Sequence, residues 1–278
     1  MQIGITAFLN DLSIGVVEFA RAVEERGFAA LYVPEHTHLP VRNAIPPGLV
    51  GGVVADDYRR SLDPFVTLAA AAAVTRRIRL GTGVCLVAQH DPIVLAKQIA
   101  TLDQLSHGRF VFGVGYGWNR DEAEAHGVAW TERRNLVTEK MRCMQALWSQ
   151  DEASFDGPHI KLAPSFSWPK PLQTPWVPCL LGGAPGPKLF EAIAAWGDGW
   201  IPIGGAGITA ALPKLRAAME RAGRDPSGLQ IVPFGTIPDA GKLDHFERLG
   251  VTEVVLRVPI ATRDAMLATL DDHVRYLG

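Results

Sequence analysis

The run Pro34-Glu35-His36-Thr37-His38 sets a carboxylate and two imidazoles side by side at the end of an apolar segment. His-x-His can open a metal site, but such a site needs further ligands from later parts of the chain. The later apolar segments end in Gly182-Gly183, Ile203-Gly204-Gly205, Phe234-Gly235-Thr236 and Val258-Pro259-Ile260, which supply none, so no metal is expected. The other chemical reading makes His36 a neutral donor or proton carrier beside a cofactor. A loop histidine held by a hydrogen bond is the plainer alternative at both His36 and His38. Two glycine-rich runs add to this. Leu181-Gly182-Gly183-Ala184-Pro185-Gly186-Pro187-Lys188 opens into a helix-like stretch, where close backbone approach and helix N-terminal amides suit a phosphate. A tight strand-to-helix turn would need the same glycines. Gly113-Val114-Gly115-Tyr116-Gly117-Trp118 is GxGxG, not the GxGxxG of a dinucleotide fold, and its glycines would clear room beside a flat ring. Trp118, directly after them, is placed to line the substrate side. No GxSxG occurs, and Cys85 and Cys179 sit inside apolar segments as small core residues.

These runs need a scaffold that brings them to one end. Short apolar strands alternate with amphipathic or Ala-rich helices along the whole chain. The strands are read at Ile3–Phe8, Ala30–Val33, Arg79–Val87, Arg109–Gly115, Pro178–Leu181, Gly199–Ile203, Leu229–Phe234 and Glu253–Val258. Helices follow at Ile14–Arg26, after Asp63-Pro64, at Ile93–Leu105, 131–149, Lys188–Trp196, Ala210–Ala222, Lys242–Leu249 and Arg263–Leu277. Asp63-Pro64 and Asp91-Pro92 each pair an N-cap with proline at the first helical position. Eight strand–helix units of about 35 residues predict an α/β fold, a (β/α)8 TIM barrel, as a single domain over 1–278. A doubly wound sheet is the alternative, and the absence of a composition break disfavours it. Two stretches exceed ordinary loop lengths. Thr37–Leu62, an extended loop after strand 2, would lie at the C-terminal face with the site. Asp151–Trp176, an insertion before strand 5, reads as a packing or dimer-contact excursion.

Composition closes off other classes. With 27 Lys+Arg against 29 Asp+Glu and no basic run, the footprint of a nucleic-acid binder is missing. The longest apolar stretch, Phe65 to Val74, is too short for a membrane span. Three cysteines without CxxC spacing form no disulfide framework, and no secretory signal follows Met1, so a cytoplasmic protein acting on a small molecule is expected.

Four motifs together resemble the luciferase-like monooxygenases, a superfamily of flavin and deazaflavin oxidoreductases. They are GFAALYVPEH (27–36), RIRLGTGV (77–84), DPIVLAKQIATLDQLSHGRFVFGVGYGWNRDE (91–122) and LLGGAPGPKLFEAIAAWGDGWIP (180–202). The Gly-Trp-Asn-Arg-Asp-Glu form is similar to the branch that uses coenzyme F420, an 8-hydroxy-5-deazaflavin. The resemblance implies that Glu35 and His36 are the acid–histidine pair, with His36 near the reactive carbon of the ring. It implies that Gly83 and Val84 form a bulge with a cis peptide behind the ring. Gly115, Tyr116, Gly117 and Asn119 would wall the ring and side chain, and Gly182, Gly183 and Ala184 would hold the phosphate. Relatives that oxidise a sugar phosphate carry an acid where this chain has Trp118, which implies an apolar or aromatic substrate, with His38 also near it. The expected activity is F420-dependent hydride transfer to or from a small organic molecule, in a homodimer. An FMN-dependent monooxygenase and a non-catalytic deazaflavin-binding protein are the alternatives.

Overall fold

The computed structural model describes residues 1–41 and 56–277. Most of the extended loop after strand 2 therefore lies outside the described residues. The chain forms a TIM barrel. Its strands are β1 (Gln2–Thr6), β2 (Ala30–Val33), β3 (Arg79–Thr82), β4 (Phe110–Val114), β7 (Cys179–Gly182), β8 (Gly199–Ile201), β9 (Gln230–Ile231), β10 (Phe234–Thr236) and β11 (Glu253–Arg257). All pair parallel, in the order β10-β11-β1-β2-β3-β4-β7-β8-β9.

The two ends of that order are successive pieces of one strand. β9 pairs with β8, Val232 N donates to Trp200 O at 2.9 Å, and Val255 N donates to Pro233 O at 2.9 Å. Proline has no N–H to give, so the strand read at Leu229–Phe234 breaks at Val232-Pro233 and changes partner there. The sheet closes through this joint, giving the eight strands that the sequence predicts.

Between the strands run α1 (Val16–Glu25), α2 (Asp56–Arg59), α3 (Pro64–Val74), α4 (Pro92–Leu105), α5 (Arg120–Ala125), α6 (Arg133–Ser149), α7 (Pro187–Trp196), α8 (Ile208–Arg221), α9 (Ala240–Arg248) and α10 (Arg263–Val274). The caps form as the sequence predicts: Asp63 accepts from Val66 N, and Asp91 from Ile93 N and Val94 N. Buried apolar side chains form two clusters. A large one packs the helices on the sheet, and a small one of Ala30, Tyr32, Val111, Leu180, Ile201, Val232, Phe234 and Val255 fills the barrel. Gly81 makes room for the interior, since a Cβ there would lie 2.3 Å from the Tyr32 ring. The Tyr32 hydroxyl donates to Glu253 (3.2 Å), which also pairs with Arg79 at 2.6 Å. Burial pushes the Glu253 carboxyl above its ordinary range despite Arg79.

The insertion before the fifth barrel strand is a β-hairpin, β5 (Glu152–Asp156) antiparallel to β6 (Lys161–Phe166). It packs on the outside: Gln104 Nε2 of α4 donates to Lys170 O at 2.9 Å, and Asp103 accepts from Leu172 N and Gln173 N. The expected strand Arg79–Val87 stops at Thr82, and the chain turns through a 3₁₀ segment, Val87–Gln89. Among the described residues, no helix is long and apolar enough to cross a membrane.

Candidate active site

A cavity of about 680 Å³ opens at the C-terminal ends of the barrel strands, a size usual for small-molecule sites. Thr6 and Phe8 come from the end of β1, Glu35 and His36 from β2, and Gly83 and Val84 from β3. Trp118 follows β4, Gly183 and Ala184 follow β7, and Phe234 and Arg257 lie on β10 and β11. A groove of about 760 Å³ between α7 and α8 is lined chiefly by Pro, Gly and Ala, with Glu191, Lys214 and Arg221 as its charges. It lacks convergent groups for chemistry, so the strand-end cavity is the site.

His36 is its most constrained side chain. Nδ1 lies 3.0 Å from Glu122 Oε2 and 3.2 Å from Oε1, and Trp118 Nε1 donates to Nε2 at 3.3 Å. An ionised carboxylate can only accept and an indole N–H can only donate. The two contacts together therefore describe a neutral ring with its proton on Nδ1 and its lone pair on Nε2. The rings of Tyr58 and Trp118 stand edge-on to the imidazole, each 5.4 Å away, and Phe8 lies 4.8 Å from Tyr58. Beside them is a cation of the lining, Arg257, whose guanidinium lies 5.8 Å from the centre of the Phe8 ring and is held by Asp57 at 2.7 Å. Burial raises the Tyr58 hydroxyl above its usual value, so it stays a neutral donor near neutrality.

Glu35 borders the same cavity but is turned to a different partner. Its Oε1 is 2.7 Å from His90 Nε2 and its Oε2 accepts from Leu86 N. Burial opposes its ionisation, yet His90 and the Leu86 amide outweigh that and hold the carboxyl below its ordinary value. The carboxylate thereby ties β2 to the turn after β3. Cys85 lies beside it, its thiol pushed up by burial and by Glu35. Glu35, Cys85 and His90 offer metal-ligating atoms within 4.8 Å of one another, but the carboxylate oxygens are already committed to His90 and Leu86 N.

The other residues singled out by sequence divide in two. Gly83, Val84, Gly183 and Ala184 line the cavity beside Trp118. The Gly83–Val84 peptide is cis. Gly115 and Gly182 stand behind Val84: a Cβ would come to 2.3 Å from its Cγ2 at Gly115 and 3.0 Å from its Cγ1 at Gly182. Gly117, at φ +76, turns the chain toward Trp118. Tyr116 is buried under Arg134, which sits 4.4 Å from its ring, and Asn119 caps α5 by accepting from Glu122 N. His38 is exposed, next to Thr37 Oγ1 and His126, and does not reach the cavity.

The lining fits a flavin-type coenzyme. The Val84 bulge and its glycine backing give a flat apolar floor, and a Cβ on Gly83 would lie 2.2 Å from Phe234 Cζ. Gly183 and Ala184 lead into α7, whose N-terminus has no side-chain cap. Pro185 and Pro187 carry no N–H and Leu189 N bonds Gly186 O, so the amides of Ala184, Gly186 and Lys188 are the ones that can meet a phosphate.

Comparison with known proteins agrees with this geometry. The chain is 46% identical over 275 residues to the uncharacterized protein Rv0953c of Mycobacterium tuberculosis, covering 98% of this chain and 96% of that one. It is 30% identical over 233 residues to an F420-dependent glucose-6-phosphate dehydrogenase of Kineococcus radiotolerans, covering 81% of this chain and 64% of the relative. The solved structure of the monooxygenase RslO1 from Streptomyces bottropensis superposes with a TM-score of 0.80 at 22% identity, over 100% of this chain and 98% of that one. The family described as luciferase-like monooxygenase matches residues 15–238, and the chain belongs to it.

Proposed function

We propose that the protein is an F420-dependent oxidoreductase that reduces a small apolar or aromatic carbonyl compound, or oxidises the corresponding alcohol. The observation that carries this reading is the lone pair of His36 Nε2, set at the edge of an apolar cavity fit for a flat coenzyme. The deazaflavin, when bound, supplies a two-electron hydride carrier without the N5 that supports oxygen activation. The protein supplies orientation, a dry wall and a proton. Gly83, Val84 and Phe234 would support the ring, and the amides of Ala184, Gly186 and Lys188 would take the phosphate. Phe8, Tyr58 and Trp118 would hold the substrate against His36, whose Nε2 passes a proton to or from the substrate oxygen. Trp118 stands where an acid would favour a sugar phosphate, so the choice of an apolar or aromatic substrate rests on that side chain.

The kinship to an F420-dependent relative at 30% identity supports the deazaflavin, while the family description as monooxygenase supports a monooxygenase, with FMN as its flavin, as the second reading. Titration with each flavin, following fluorescence quenching and oxygen uptake, separates them. Micromolar binding of the deazaflavin without oxygen consumption is expected. Binding of FMN alone overturns the first reading, and binding without turnover on any carbonyl or alcohol points to a carrier.

A homodimer is part of the same proposal. α3 carries no charged residue and leaves Val66 71% exposed, beside α4 with Ile93 and Val94 exposed. A second copy would cover these exposed apolar side chains. Light scattering after gel filtration should show a dimer that Val66→Glu weakens; a monomer at all concentrations rules it out.

A further inference from the structure

Glu122 is fully buried, and among the described residues no lysine or arginine pairs with it. A carboxylate in that position is unfavourable unless a donor compensates it. The compensation is the Nδ1–H of His36, itself only 5% exposed. The side chain is aimed there by its own helix. Asn119 caps α5 and takes the Glu122 amide at 3.1 Å, which fixes the third helical residue against the end of β2.

We propose that Glu122 is the positioning residue of the site: it locks the His36 proton on Nδ1, making Nε2 the one ring atom that exchanges protons with substrate. Its carboxylate also balances the imidazolium that forms during turnover. The reaction direction rests on the proposed function, whereas the tautomer does not. In reduction, the carbonyl carbon gains the hydride supplied by the reduced coenzyme. The carbonyl π pair takes the proton of Nε2–H, which the ring has first taken up from solvent, to form the O–H bond. His36 then returns to the neutral Nδ1–H form seen here, still held by Glu122. Oxidation of the alcohol is the reverse, with the hydroxyl proton passing to Nε2. Between turnovers the Trp118 indole N–H occupies the Nε2 lone pair, so the hydroxyl of an alcohol substrate takes its place on the ring.

Glutamine at 122 can offer either an oxygen or an NH2 to Nδ1, so it no longer dictates the tautomer. Ring ¹⁵N NMR of the protein without coenzyme reads this directly. Wild type should show a protonated Nδ1 and an unprotonated Nε2 at mildly alkaline pH. Glu122→Gln should show a mixed or inverted pattern, and Glu122→Asp should keep the wild-type one. In carbonyl reduction, Glu122→Gln should lower kcat by about tenfold or more with KM within about threefold, and Glu122→Asp should recover part of the loss. An Nε2-protonated ring in the wild type overturns the proposal without any variant. So does a Glu122→Gln protein that keeps the wild-type tautomer or its full kcat. Failure to bind the deazaflavin would remove the reaction and leave the tautomer measurement standing.

Discussion

Glu122 and His36 lie 86 residues apart in the chain and meet at 3.0 Å, while Glu35, the neighbour of His36 in sequence, faces His90 instead. The two carboxylates of the site thus have separate duties. One is tied to the imidazole and the other to the turn behind the cavity.

Trp118 competes with substrate for His36 Nε2. Trp118→Phe keeps an aromatic ring but removes the N–H donor. One net hydrogen bond is worth about 1 kcal/mol, so KM for an alcohol substrate, whose hydroxyl must donate to the same lone pair, should fall by about fivefold with kcat little changed. Steady-state kinetics check this; a raised KM would show that the indole N–H contacts substrate instead.

Gly115 keeps Val84 in place. Gly115→Ala brings a Cβ to 2.3 Å from Val84 Cγ2, so Val84 must shift toward the cavity at a cost of about 1–3 kcal/mol. Coenzyme affinity should drop along with thermal stability. At Gly117, φ +76 makes Gly117→Ala strained by about 1 kcal/mol, but its Cβ would meet nothing nearer than 4.0 Å. That variant should lose stability and keep its affinity, as calorimetric titration of both would show.

The phosphate end is testable by charge. Ala184 is exposed at the cavity rim just before α7. Ala184→Asp should weaken binding of the phosphate-bearing coenzyme by roughly three- to tenfold, the scale of a charge at a helix N-terminus. A phosphate-free deazaflavin should bind both proteins alike. Equal losses for the two ligands would place the phosphate elsewhere.

Glu35 should make stability depend on pH. Its folded-state carboxyl lies below the ordinary value of 4.5, so its contribution is present above that value and is lost as pH falls through the folded one. Near neutrality Glu35→Gln should cost about 2 kcal/mol, as expected for hydrogen bonds to a charged group. In acid, below about pH 4.5, the gap to wild type should narrow. Denaturant midpoints across pH measure the effect; a constant gap would assign the loss to packing.

The sequence showed the barrel because period and caps are local. Asp63-Pro64 and Asp91-Pro92 announce their helices, and strand ends follow from glycines and prolines. His36, Gly83, Val84, Trp118, Gly183 and Ala184 were legible as cavity residues because they sit on strand ends. Glu122 was not. Asn119-x-x-Glu122 has the spacing of a capping box, which reads as a helix start, and nothing local says that its carboxylate reaches across to β2. Arg257, Phe8 and Tyr58 were missed for the same reason: they become neighbours only when the barrel closes. The β5–β6 hairpin was hidden by Pro164 inside β6, which reads as a strand breaker.

Phe234 belongs to the joint that closes the barrel, since its N–H reaches Pro202 O at 2.9 Å and it pairs with Val255. Its ring is also the wall beneath Gly83 and packs edge-on to Tyr32. Seam and pocket therefore share one residue. Reshaping the cavity from this side would loosen the cylinder itself. The cluster of Phe8, Tyr58 and Trp118 belongs to loops and a short helix. That cluster is where substrate range can drift under selection, or be redesigned, while the barrel stays shut.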